Sequence, residues 1–330
     1  MTVLIVSLAS CTSGVSRKSQ EGADTLNLSY SRLLTIMEHE GYNVVEIANP
    51  WKKGEVLHRY ILVSDPETPH IPEGTVINVP VKTTVVFTTV HASLLADLGV
   101  EERINGMADV EYVKRKEINS LISSNKIANV GSSMSPNVEK IIDLSPDIIM
   151  LSPFENSGGY GRLDHIGVPI IECADYMEIS PLARAEWIKF YGMLFGADEQ
   201  ADSIFNDVET HYKTLAKEAK SLDSHPTVIV DFPSGNTWYV PGGKSTIGRM
   251  IADAGGRYCF ADDNNSGSVA LSLEKVVSQC EKADLWLFRY GGAEKSLAGI
   301  SNDYEVFTHI KAFADGNVYG CSTEHTTFYE

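Results

Sequence analysis

The chain has 330 residues, enough for two domains, and its 43% hydrophobic and 22% charged residues are ordinary for globular proteins. The formal net charge of −17 and the isoelectric point near 4.9 argue against nucleic acid as a partner, because no basic stripe is present. Composition does not identify a ligand.

The N-terminus carries the first strong signal. Residues 3–9 form a short apolar run that ends in Leu-Ala-Ser-Cys at Cys11, and a polar stretch follows up to Gly22. The run is too short to span a bilayer and is typical of the end of an export signal. Leu-Ala-Ser-Cys resembles the lipobox of bacterial lipoproteins, although no Lys or Arg precedes the run. The resemblance implies a signal and tether over residues 1–22, acylation of Cys11 and anchoring on the periplasmic side of the inner membrane. The alternative is a buried N-terminal strand.

Helices and strands then alternate along the first half of the chain. A helix is predicted over residues 26–39, followed by extended segments in which prolines mark turns. A strand over 85–90 leads into a helix over 92–98 that ends at Gly99. With further strands predicted near 128–130 and over 168–173, this alternation indicates a Rossmann-like parallel sheet.

One long helix is predicted to follow. Ser180-Pro181 is typical of a helix start, with a cap and a proline at the first helical position. After a break at Gly196, residues 197–222 have apolar side chains at offsets of three, four and seven, which predicts one apolar stripe. These are Ala201, Ile204, Phe205, Val208, Tyr212, Leu215, Ala219 and Leu222. At 1.5 Å per residue this helix would be roughly 39 Å long.

A second α/β pattern follows the long helix. Strands are predicted over residues 228–232, 238–240 and 317–321, with a helix over 245–254. The fold class predicted for the whole chain is α/β, with two Rossmann-like lobes bridged by one long α-helix. The lobes are assigned to residues 23–180 and 223–330, with linker helices over 181–222.

The same helix–strand unit occurs in both halves. In each copy a polar residue, Asn137 or Ser272, starts a short helix, and a glutamate, Glu139 or Glu274, lies two positions further on. An aspartate later opens a continuously apolar strand, which is typical of a strand buried on both faces. A glutamate in the first helical turn has a simple explanation, since the helix dipole favours an acid there. Its presence in both copies favours a shared external partner.

This arrangement resembles the class III substrate-binding proteins of ABC importers, which carry iron–siderophore, haem and cobalamin ligands. The resemblance covers residues 80–330 and includes the segments 137–147 and 273–277. It implies that Glu139 and Glu274 dock into arginine pockets on the two permease subunits, and that the rigid linker helix allows only a small hinge motion. Residues 152–161 and 239–243 resemble a Bacteroidetes-type branch. Family members continue with closing helices beyond the strand near Cys321, so the C-terminal lobe is expected to be truncated.

Ligands of open α/β sheets bind beyond the carboxyl ends of the strands. Aromatic side chains offer flat apolar contact to a macrocycle or catecholate, and arginine offers a fixed pair of donors for carboxylates. Taken alone, each aromatic is more often a core residue than a ligand contact, and a histidine in the position of His91 is more often a helix-start residue than an axial ligand to haem iron or cobalt. The residues predicted to face one another across the cleft are His91, Phe154, Tyr160, Arg162, Trp238, Tyr239 and Arg289.

Other functions are less favoured by the sequence. Gly243-Lys244-Ser245 resembles part of a P-loop, but Trp238 stands where the first glycine is required, so at most an anion is expected at that helix start. No catalytic motif of a hydrolase or metalloprotease occurs, and no catalytic residue, cofactor or metal site is predicted. The nine histidines are scattered, and the cysteines after Cys11 are widely spaced. A zinc- or manganese-binding receptor and a lipid-anchored α/β enzyme remain the alternatives.

Overall fold

The computed structural model describes residues 24–155, 159–292 and 295–323. Within these ranges, two parallel sheets form the centres of two α/β lobes, and three consecutive helices connect them. The predicted fold class is therefore confirmed. The prediction for Cys11 lies outside the described residues.

The segment before the first lobe is a five-stranded sheet, and the helix predicted over residues 26–39 is wrong. Leu34 and Ile36 are buried while Thr35 between them is exposed, which is the two-residue period of a strand. Gly41, with φ +82°, completes a two-residue turn that pairs His39 with Tyr42. All neighbours are antiparallel except the last pair. The strands are β1 (Asp24–Leu26), β2 (Leu34–His39), β3 (Tyr42–Ala48), β4 (Val56–Val63) and β5 (Thr75–Asn78).

The N-terminal lobe is built on a parallel sheet of five strands. The first strand is shorter than the predicted 85–90, because the Thr88 hydroxyl caps the following helix by accepting the His91 N–H. The elements are β6 (Thr84–Val86), α1 (Thr89–Asp97), β7 (Ile104–Met107), α2 (Lys116–Ser123), β8 (Ala128–Asn129), the small ribbon β9 (Gly131–Ser132) and β10 (Ser135–Pro136), α3 (Val138–Leu144), β11 (Ile148–Leu151) and β12 (Ile170–Glu172). Across the sheet the strand order is β12-β11-β6-β7-β8.

Three helices connect the lobes: α4 (Pro181–Glu186), α5 (Ile188–Phe195) and α6 (Asp198–Lys220). The Ser180 hydroxyl accepts the Ala183 N–H at 3.1 Å, so the predicted cap is present. The apolar stripe of α6 is only partly covered. Ala201 and Phe205 are buried in the N-terminal core, whereas Val208 and Leu215 are exposed. No helix within the described residues is both long and apolar enough to cross a membrane.

The C-terminal lobe has a four-stranded parallel sheet of order β15-β13-β17-β18 and a two-stranded ribbon of β14 and β16. The first strand ends at Val230, two residues before the predicted end, because Asp231 adopts a left-handed backbone with φ +63°. The elements are β13 (Thr227–Val230), β14 (Thr237–Pro241), α7 (Thr246–Asp253), β15 (Arg257–Tyr258), β16 (Ser268–Ser272), α8 (Leu273–Cys280), β17 (Leu285–Tyr290), α9 (Leu297–Asp303), α10 (Lys311–Ala314) and β18 (Val318–Ser322).

The repeated helix–strand unit has the same structure in both lobes. Asn137 and Ser272 cap α3 and α8 by accepting backbone N–H groups three residues ahead, at 2.9 and 3.3 Å. The aspartate that precedes each apolar strand also has a defined role. Asp147 accepts the N–H groups of Lys82 and Thr83 just before β6, at 2.8 and 2.9 Å, and Asp284 accepts that of Thr227 at 2.8 Å. Each carboxylate thus fixes the start of the neighbouring parallel strand.

Candidate functional site

His91 lies inside the N-terminal lobe and is only 2% exposed. Its Nδ1 is 2.7 Å from the Thr88 hydroxyl and its Nε2 is 3.1 Å from Asp175 Oδ1. Asp175, which follows β12, also accepts hydrogen bonds from Tyr191 of α5 at 3.0 Å and Arg184 of α4 at 3.2 Å. Because both ring nitrogens are engaged and buried, His91 is not available to a ligand in the cleft. It belongs to a buried polar network that connects α1 to the linker helices.

The network keeps His91 and Asp175 charged. Burial opposes the charge on the imidazole, but Cys173 and Asp175 beside it outweigh that effect and raise the pKa of His91 to about 10. Burial likewise opposes ionisation of Asp175, and hydrogen bonds and charge from His91 and Arg184 lower the pKa of that carboxyl nonetheless. The pair is therefore a buried ion pair at neutral pH.

The ion pair predicts a pH dependence of stability. Since the pKa of His91 is about 10 in the folded protein and near 6.5 in the unfolded chain, its stabilising contribution is complete below about pH 6.5 and disappears as the pH rises through 10. Urea unfolding of the wild type and of His91→Gln should differ most at pH 6 and progressively less towards pH 10. A difference that stays constant over that range would contradict the charged state of His91.

Tyr160 lies beside the carboxyl end of β12. Its hydroxyl donates to Glu172 Oε1 at 2.6 Å, and its own N–H donates to Asp164 at 2.7 Å. Burial and the hydrogen bond to Glu172 raise the pKa of the Tyr160 phenol, so it remains protonated. Phe154, after β11, is 55% exposed. Both aromatic residues follow β11 in sequence, and the Tyr160 hydroxyl reaches the carboxyl end of the neighbouring β12.

Glu139 and Glu274 lie in the first turns of α3 and α8, and both are exposed. Glu139 forms an ion pair with Arg162 at 2.7 Å, and the hydrogen bond from that guanidinium lowers the pKa of the Glu139 carboxyl. Arg162 was predicted as a ligand contact, but in the structure its side chain is 68% exposed and turned to Glu139. It therefore lies on the surface assigned to docking.

Arg289 lies near the carboxyl end of β17 in the C-terminal lobe. Its Nε and Nη2 donate to Asp231 Oδ1 at 3.0 and 2.7 Å. Both residues line a cavity of about 300 Å³ at the ends of β13, β17 and β18, together with Tyr319 and Cys321. Asp231 was not predicted, although a polar residue directly after a buried apolar strand is a recognisable signal. Its carboxylate fixes the orientation of the Arg289 guanidinium at this edge of the sheet.

Trp238 does not face a cleft, and the prediction for this residue is wrong. The side chain is fully buried, packs on Trp286 and Phe307, and donates its indole N–H to Val230 O at 3.1 Å. Because side chains alternate along β14, Tyr239 points the other way and is 56% exposed. Of the two aromatic residues on this strand, only Tyr239 can contact a partner.

At the helix start that resembles a P-loop, other parts of the protein already contact the backbone. Ser245 accepts the Gly248 N–H at 3.1 Å, and the Lys244 N–H donates to Asn265 O at 3.0 Å. A Cβ on Gly243 would lie 2.5 Å from three carbonyl oxygens of the loop over residues 260–263. The glycines thus allow this loop to pack against the helix start. Among the described residues, no three His, Cys, Asp or Glu side chains are grouped in a way that could hold a metal ion.

The two sets of candidate residues belong to different lobes. Phe154 and Tyr160 lie in the first, and Tyr239 and Arg289 in the second. One hydrogen bond between the lobes is from the Thr246 hydroxyl to Glu178 O at 2.8 Å. A cavity of about 630 Å³ extends from the N-terminal segment to Ser266 of the C-terminal lobe. The described contacts do not join the four candidates directly.

Comparison with known proteins gives matches over most of the chain. The family model described as periplasmic binding protein matches residues 85–324. An uncharacterised lipoprotein of Methanocaldococcus jannaschii is 28% identical over 255 residues, 74% of this chain and 60% of that protein. A cobalamin-binding protein of Halobacterium salinarum is 24% identical over 205 residues, 62% of this chain and 54% of that protein.

A solved structure shares the fold. The structure of a possible iron-binding protein from Staphylococcus epidermidis superimposes with a TM-score of 0.60 and 16% identity, covering 73% of this chain and 90% of that one. The family is one of binding proteins and not of enzymes, and the Bacteroidetes-type branch stays a prediction. With the matching model covering the segment from β6 to beyond β18, the chain belongs to the periplasmic binding protein family, among the class III substrate-binding proteins of ABC importers.

Proposed function

We propose that the protein is an extracytoplasmic solute-binding lipoprotein that captures a metal chelate of the iron–siderophore, haem or cobalamin type and delivers it to an ABC permease dimer. Family membership supports the general role, and the lipoprotein name of a relative supports a membrane anchor through Cys11. The observation that supports ligand capture most directly is the chemistry at the carboxyl edges of the two sheets. Tyr160, whose hydroxyl donates to Glu172, and Arg289, whose guanidinium donates to Asp231, are held in fixed orientations at equivalent edges.

The ligand site we infer consists of Phe154 and Tyr160 from one lobe and Tyr239 and Arg289 from the other. The exposed aromatic rings of Phe154 and Tyr239 offer flat apolar surface, which suits a macrocycle or an aromatic chelator. Arg289 supplies a guanidinium whose orientation is fixed by Asp231, which suits a carboxylate or phenolate. Capture by two opposed lobes would remove such a ligand from water without a covalent step.

Equilibrium binding of the purified protein tests this function. We expect the wild type to bind at least one member of a panel of ferric siderophores, haem and cobalamin, and to bind free zinc and manganese much more weakly. Selective binding of a free metal ion would favour the zinc or manganese receptor instead.

Arg289→Ala is expected to weaken binding of that chelate tenfold or more, which corresponds to about 1.4 kcal/mol. The reason is the loss of a positive charge held in a fixed position in the cavity. The matched control is Arg249→Ala, which removes another Arg–Asp pair of the same lobe, at 2.8 Å on the exposed side of α7. Unchanged affinity in Arg289→Ala would remove this residue from the site.

A further inference from the structure

The N-terminal sheet, β1 to β5, lies before the region matched by the family model, which begins at residue 85. It is nevertheless joined tightly to the N-terminal lobe. Tyr60 of β4 donates to Ile170 O at 2.9 Å and accepts the Glu172 N–H at 2.8 Å, both on β12. Buried Glu178 and Glu186 accept backbone N–H groups from residues 29–33. The sheet is therefore a fixed part of this lobe.

The sheet also reaches the candidate site through hydrogen bonds. His58 of β4 lies between the Thr75 hydroxyl, 2.8 Å from Nε2, and Glu172 Oε2, 2.9 Å from Nδ1. Glu172 is the residue that accepts the Tyr160 hydroxyl at 2.6 Å. One carboxylate thus connects a side chain of the N-terminal sheet to a candidate ligand-contact residue.

The sheet also lines the cavity of about 630 Å³. The β3–β4 turn lines it together with residues 177–179 and with Ser266 of the C-terminal lobe. A cavity bounded by both lobes and by the additional sheet is suited to a ligand held between the lobes.

The charges that line this cavity favour an anion. Each of its three acids already has a partner. Glu46 pairs with Arg59, and Glu55 lies 3.9 Å from Lys52. Glu178 accepts hydrogen bonds from N–H and O–H donors, among them Trp187 Nε1 at 3.0 Å. The two cations of the lining, Arg32 and Lys53, are exposed, and their side chains have no hydrogen-bond or ion-pair partner within the described part of the chain. Two unpaired cations beside satisfied acids can bind an anionic group without breaking an existing pair.

We propose that the N-terminal sheet is a third wall of the ligand site, and that Arg32 and Lys53 bind a carboxylate or phenolate group of the chelate in the cavity shared with Ser266. This inference rests on the proposed function and adds a subsite and a ligand class to it. The protein should therefore prefer chelates with a net negative charge or free carboxylates over neutral ones.

The test compares Arg32→Ala/Lys53→Ala with Lys116→Ala, using a ferric tris-catecholate and haem as anionic probes and a neutral ferric tris-hydroxamate as reference. Lys116 is the matched control, since it is also an exposed cation but does not line the cavity. We expect the double variant to lose at least tenfold in affinity for the anionic probe that the wild type binds, with Lys116→Ala unchanged. Thermal unfolding should be the same in all three proteins, because the substituted side chains are exposed.

The outcomes separate the two proposals. If Arg289→Ala weakens binding of an anionic probe and the double variant does not, the third wall is refuted while the proposed function stands. Preference of the wild type for the neutral hydroxamate over both anionic probes would refute the third wall as well. If the wild type binds no chelate, both proposals fall together.

Discussion

Asp175→Ala is expected to lower the free energy of unfolding by about 3–5 kcal/mol, the usual effect of removing one partner from a buried ion pair. The substitution leaves the buried, charged His91 without its carboxylate and also removes the acceptor of Tyr191 and Arg184. Urea unfolding at pH 7 measures the change. The control is Lys126→Ala, whose ion pair with Glu102 is exposed on both sides and should contribute about 1 kcal/mol or less.

The position of this network gives the Asp175 variant a second expected effect. Asp175 connects α1, which follows β6, to α4 and α5, the helices that lead from the first lobe into α6. Loss of the carboxylate should therefore loosen the start of the linker, and amide hydrogen exchange should speed up in α4 and α5 before it does in β17. A loss below 1 kcal/mol with unchanged exchange would show that the network is not a stabilising junction.

Glu139→Arg/Glu274→Arg is expected to abolish transport while leaving the affinity for the chelate unchanged. Both glutamates are exposed at equivalent helix starts. Charges at an interface orient the two partners and speed their association more than they add to the affinity. Replacement by arginine would place like charges against the arginine pockets proposed on the permease. Uptake in cells lacking their own copy of the gene, and transporter-stimulated ATP hydrolysis in liposomes, measure the effect.

The matched control for docking is Glu102→Arg. Glu102 is also an exposed glutamate of the N-terminal lobe, but it precedes β7 and so lies at the amino edge of the sheet, opposite the start of α3. The Glu102→Arg protein should support normal transport of the ligand. Normal uptake by the Glu139→Arg/Glu274→Arg protein would leave only the helix-start explanation for both glutamates.

The elements that sequence predicted best are those with local causes. The repeated unit could be recognised because its cap, its apolar helix face and its buried strand each depend on residues that are close together in sequence. The partners of Asp147 and Asp284 could not be predicted, since each carboxylate binds backbone that lies about 60 residues away in sequence. The boundaries assigned to the lobes at residues 180 and 222 stay predictions.

Two errors show where the sequence pattern was ambiguous. Leucine and isoleucine between residues 26 and 37 fit a helical face loosely, but the alternation over 34–36 and the turn at Gly41 favour a hairpin. Trp238 and Tyr239 were both predicted as cleft residues, because the prediction considered only their position relative to a strand. Only side-chain alternation separates a core residue from a surface residue there, and the choice between the two faces depends on packing against Trp286.

The two aspartates at the amino edges have a consequence for engineering this protein. Asp147 and Asp284 fix the register of the central strand pairs from the edge opposite to the proposed ligand site. Loops at the carboxyl edges can therefore be lengthened, shortened or exchanged without touching the bonds that set the register. A library with altered specificity should vary those loops and leave both aspartates intact, so that new binding surfaces are carried on an unchanged scaffold.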